Sequence, residues 1–109
     1  MLKTLERTLR NLSLAAGCAL VAHGAALAAD AGQGKAIAER WCNSCHVVDA
    51  GQKNPATDQA PPFAAIGKKP DFGAARLALL LLAPHPNMPK LALSQSEIAD
   101  LASYISTLK

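Results

Sequence analysis

Apolar residues recur at helical spacing in three stretches of the chain. Gly34, Ile37, Ala38, Trp41 and Cys45 fall three or four apart and predict one stripe of a helix over about residues 32–45. A second helix is expected from Asp71, an N-cap candidate after Pro70, to residue 83, where Pro84 stops it. Its core, RLALLLLA, is apolar on nearly every side and predicts burial on more than one face. A third helix begins at Ser94, with Glu97 three residues on to complete a capping box. Ile98, Leu101, Ile105 and Leu108 form its stripe, with Tyr104 beside it. The stretch 47–70 is broken by glycine and proline and reads as loop, with one helical turn over residues 62–67. The segment PHPNMPKLAL before the third helix is stiffened by three prolines. No period-two alternation argues for a strand, so the fold class is all-α, about three main helices with long loops. Loops of that length in a small domain perform a function or wrap something.

The N-terminal pattern is of another kind. Lys3, Arg7 and Arg10 precede a short apolar run, and Ala26-Leu27-Ala28 closes it with small residues. This is the layout of a secretory signal peptide spanning residues 1–28, which leaves one domain at 29–109. A retained anchor over residues 11–29 is the bland alternative, but His23 and Gly24 interrupt it. Leu14-Ala15-Ala16-Gly17-Cys18 offers a further alternative, a lipoprotein box with Cys18 as the lipidated residue. Removal of residues 1–28 changes the charge picture. The 109-residue chain carries +3, whereas residues 29–109 hold eight Lys and Arg against seven Asp and Glu. Half of the residues are apolar, which excludes a disordered chain. No three basic residues are consecutive, so there is no stripe to track a nucleic acid backbone.

The candidate chemistry lies in Cys42-Asn43-Ser44-Cys45-His46, the CxxCH signature of c-type haem attachment. Cysteines three apart on one helix face can add to the two vinyl groups along one porphyrin edge. His46 follows at the helix end, where its imidazole can bind the iron. A structural zinc site would need four ligands, and the other histidine of residues 29–109, His85, lies far outside the usual ligand spacing. A CxxC redox centre would start a helix in a βαβ setting, which is missing here. A plain disulfide explains neither His46 nor the export signal.

Beyond that motif, nearly all of the mature region resembles the small single-haem class I cytochromes c of bacteria. The resemblance rests on Gly34-Lys35-Ala36-Ile37 before the haem motif, CNSCH itself, Ala60-Pro61-Pro62-Phe63 after it, and Asn87-Met88-Pro89 ahead of a terminal helix with Leu101 and Tyr104. It implies the cytochrome c fold wrapped around one covalently bound haem c, held by Cys42 and Cys45. It also implies His46 and Met88 as the two axial iron ligands. Met88 is the one methionine of residues 29–109, although His85 is three residues away and competes for the same iron face. The resemblance further suggests that Pro61 offers its carbonyl to the far nitrogen of His46; Pro62 adjoins it and offers the same group. The first and last helices would cross where Gly34 meets Tyr104.

A histidine–methionine pair raises the reduction potential and leaves no iron position vacant. No carboxylate cluster or activated nucleophile supports catalysis. The function implied is therefore one-electron transfer in the periplasm, not enzymatic turnover. The partners implied are a donor dehydrogenase or cytochrome complex and an acceptor oxidase. Lys53, Lys68, Lys69 and Lys90 are candidates for steering an acidic partner, against the ordinary reading of solvated lysines. Three other readings stay open: a haem c subunit bound to one dehydrogenase, a small haem peroxidase, and a gas sensor.

Overall fold

The computed structural model describes residues 27–52, 60–84 and 86–109. Of the signal peptide expected over residues 1–28, residues 1–26 with Cys18 lie outside the described residues, as do Lys53 and His85. Four helices follow in order: α1 (Ala31–Trp41), α2 (Phe63–Gly67), α3 (Ala74–Leu82) and α4 (Gln95–Ser106). Among the described residues there is no strand, and no helix is long and apolar enough to cross a membrane.

Each helix starts and stops for a local reason. The Asp30 carboxylate accepts from the backbone N–H groups of Gly32 (2.8 Å) and Gln33 (3.1 Å) and caps α1. The Asp30 N–H in turn donates to the Asp100 carboxylate of α4 at 2.7 Å, tying the start of α1 to the last helix. α1 ends at Trp41, four residues short of the sequence expectation, with Cys42 as its C-cap. Asn43 and Ser44 follow, residue types that favour turns over helix interiors, and the backbone closes into turns as the N–H groups of Cys45 and His46 both return to the Cys42 carbonyl. α2 is the single turn expected after Pro62.

α3 departs from expectation at its start. Its N-cap is Gly73, not Asp71. The Asp71 carboxylate instead pairs with Arg76 at 3.4 Å, because the Phe72 N–H bonds back to Lys69 and makes a turn there, with the Phe72 ring packed on the core. Among the described residues, protein covers one face of α3: Leu77 is buried and Leu81 packs on the core, while Leu79, Leu80 and Leu82 are 61%, 42% and 76% exposed, and the helix that packs on α3 is α4. α4 begins with the capping box: the Glu97 N–H donates to the Ser94 hydroxyl (3.3 Å) and the Ser94 N–H to the Glu97 carboxylate (2.7 Å). Those bonds hold the Glu97 carboxyl below its ordinary value.

α4 is the hub, packing against each of the other three helices. Leu101, Ala102, Tyr104 and Ile105 supply its buried stripe, against Ala38 from α1, Phe63 from α2, Leu77 from α3 and Val48 from the loop. The α1–α4 crossing needs a glycine. A Cβ on Gly34 would run into the backbone carbonyl of Asp100 and the Tyr104 side chain, so any larger residue must push the helices apart.

Candidate haem site

The end of α1 delivers Cys42 into the core, and the turns after it bring Cys45 and His46 to one cleft. His46 is 6% exposed. Its Nδ1 lies 2.7 Å from the Pro61 carbonyl, which can only accept, so Nδ1 carries the proton and Nε2 keeps its lone pair. The Phe63 ring packs on the imidazole with centroids 5.4 Å apart, and the Phe63 N–H donates to the Val47 carbonyl at 2.9 Å. The turn at Pro61–Phe63 thus grips the histidine through both its ring and the following peptide.

Asn87, Met88 and Pro89 line the same cleft as Cys42, Cys45 and His46. The chain reaches that position through Asn87, whose φ of 75° is left-handed. Asparagine tolerates this conformation better than most side chains, because its short amide can bond locally. Trp41, half exposed, stands at the rim with the Arg40 guanidinium 5.1 Å from its ring centroid. Lys68, Lys69 and Lys90 are exposed.

No disulfide joins Cys42 and Cys45. Burial, with the neighbouring Cys45 adding to it, pushes the Cys42 thiol up to about 11, so it remains protonated at neutral pH. A dithiol redox centre wants the opposite shift. Among the described residues, no group of three or more His, Cys, Asp or Glu side chains converges to hold a bare metal ion. What the cleft offers is two unjoined thiols, an imidazole with one nitrogen engaged and the other available, and a thioether. That donor set fits a haem bound through thioethers.

A family model for cytochrome c matches residues 31–109. The chain belongs to the cytochrome c family. It is also similar to cytochrome c-552 of Bradyrhizobium diazoefficiens, with 51% identity over 84 residues that cover 77% of this chain and 80% of that protein. No solved structure matches it. These relationships make the chain a small bacterial class I c-type cytochrome. It is an all-α electron-transfer protein with haem c as its cofactor, not an enzyme, and it works with redox partner proteins.

Three contributors to this cytochrome c site were not singled out for their roles by sequence. The Tyr104 hydroxyl reaches the Val48 carbonyl at 2.6 Å across 56 residues of chain, and only the packing reveals it. Asn87 follows Pro86 before Met88, and that Pro-Asn pair was its signal. Gln52, whose amide bonds backbone groups around His46, carries no sequence signal at all.

Proposed function

We propose that this cytochrome is a periplasmic one-electron carrier with histidine–methionine axial ligation. The observation that carries the reading is that Cys42, Cys45, His46 and Met88, separated by up to 46 positions in sequence, line one cleft. Cys42 and Cys45 would hold the porphyrin by thioether bonds, and His46 Nε2 and Met88 would ligate its iron. When bound, haem supplies an iron couple that takes up and releases one electron. Pro61 fixes the tautomer and ring angle of His46, as hydrogen-bond partners of metal-bound histidines do. The left-handed turn at Asn87, between the rigid Pro86 and Pro89, keeps Met88 at the cleft. With His46 and Met88 both committed to the iron, the chain would leave no position there for a substrate.

Export is supported by the charged head, apolar run and Ala-Leu-Ala ending of residues 1–28. Mass spectrometry of the mature protein tests it: a first residue of Ala29 is expected, and a lipidated Cys18 or an intact Met1 contradicts it. For the carrier role, the purified protein should show a reduced c-type spectrum, and its haem should resist acid–acetone extraction. Extractable haem, or rapid peroxide turnover by the resting protein, overturns the reading. A second reading, a haem c subunit held by one dehydrogenase, is favoured by the exposed leucines of α3. Sedimentation of the native protein distinguishes the two, since a carrier runs alone and a subunit co-sediments.

A further inference from the structure

The backbone around His46 belongs to neither helix nor strand, so its polar groups need individual partners. The His46 N–H bonds the Cys42 carbonyl (2.9 Å), and the Val47 carbonyl accepts from Phe63 (2.9 Å). Three further groups meet a single side chain. Gln52 Nε2 donates to the carbonyls of Asn43 (3.1 Å) and His46 (3.0 Å), and its Oε1 accepts from the Val48 N–H (3.0 Å). A primary carboxamide has two N–H donors and one carbonyl in a fixed plane, and all three are matched here. Gln52 also closes a turn through its own backbone. Its N–H donates to the Asp49 carbonyl at 3.1 Å. The Asp49 carboxylate takes the Gly51 N–H at 2.9 Å and pairs with Lys35 of α1 at 3.0 Å.

We propose that Gln52 is the positioning residue for the axial histidine, pinning the His46 peptide so that the ring keeps its bond to Pro61 and its Nε2 for the iron. This rests on the reading of His46 as an iron ligand. A glutamine that only stabilised the loop would lower its stability when lost and leave the imidazole as it was. A glutamine that positions His46 governs how firmly the imidazole is held against Pro61.

The test is NMR of the haem-loaded protein, comparing wild type with Gln52→Met, which keeps the side-chain length and removes all three bonds, and with Lys35→Met. The latter cuts the ion pair on the outer side of the same loop and leaves the His46 carbonyl bonded. In Gln52→Met, solvent exchange of the His46 Nδ1 proton should accelerate by about two- to tenfold, the ratio expected from losing one net hydrogen bond. The haem methyl resonances of the oxidised form, which report the imidazole plane, should redistribute. Lys35→Met should leave both at wild-type values. Unchanged exchange and methyl shifts in Gln52→Met, even with a lower melting temperature, overturn the proposal, as does an equal response in Lys35→Met. Wild type supplies a readout that survives a variant failing to fold: the Gln52 side-chain amide protons should exchange slowly, and exchange at the rate of an exposed carboxamide refutes the clamp. Separately, His46 ring protons without haem-induced shifts in wild type contradict the ligand reading itself.

Discussion

Removing one oxygen atom, in Tyr104→Phe, isolates the contact that joins α4 to the loop after His46. Tyr104 is 6% exposed and Val48 1% exposed, and the hydroxyl donates to the Val48 carbonyl at 2.6 Å. Phenylalanine keeps the ring in the α1–α4 crossing, so the loss is the hydrogen bond together with a buried carbonyl left short of a donor. That combination costs about 1–2 kcal/mol. In a domain of this size each kcal/mol lowers Tm by roughly 4–8 °C, a fall well within reach of thermal unfolding followed by circular dichroism. The effect also has a pH signature. Burial first, then the Asp49 carboxylate, raises the Tyr104 phenol above its ordinary value of 10.0. The folded state therefore favours the protonated phenol, and this contribution is complete below the ordinary value and is lost as pH rises through the raised one. The stability gap between wild type and Tyr104→Phe should be constant through neutral pH and shrink in alkali. Tyr104 is the single tyrosine of the chain, so its ionisation can be followed directly by ultraviolet absorption. Equal Tm values, or a gap that widens in alkali, would refute the reasoning.

Gly34→Ala should destabilise by about 1–3 kcal/mol or more, the cost of overpacking, because the new methyl meets the Asp100 backbone and not a movable side chain; chemical denaturation checks it. At Asn87 the left-handed φ predicts that glycine is tolerated and that valine costs roughly 1–3 kcal/mol, read as lower stability and weaker retention of the Met88 ligand. Glu97→Gln should flatten the acid limb of the stability profile. The Glu97 carboxyl is held below its ordinary value, so its contribution is present above that value and lost as pH falls through the depressed one.

Features that depend on adjacent residues were legible in the sequence. CNSCH names its own chemistry, and the capping box and the stripe of α4 both fall within residues 94–108. The short turn α2 followed from Pro62 and Gly67. The end of α1 was misjudged because Cys45 continues the apolar stripe, whereas the turn preference of Asn43 and Ser44 decides the backbone. The apolar count of α3 tells how hydrophobic the helix is but not which of its faces the protein itself covers, so the sequence did not single out Leu79, Leu80 and Leu82 as the leucines left exposed by the polypeptide. Gln52 is the extreme case: a polar residue in a polar loop, distinguished only by three backbone groups that the fold brings to it.

The proposed pairing of His46 with Met88 on the iron is tested most directly by the weak near-red sulfur-to-iron absorption band of the oxidised protein. Met88 lines the cleft with His46, and His85 is three residues away. Met88→Ala should abolish the band and lower the reduction potential, while His85→Ala should leave the band intact. A band that survives Met88→Ala, or one that is lost in His85→Ala alone, would contradict histidine–methionine ligation.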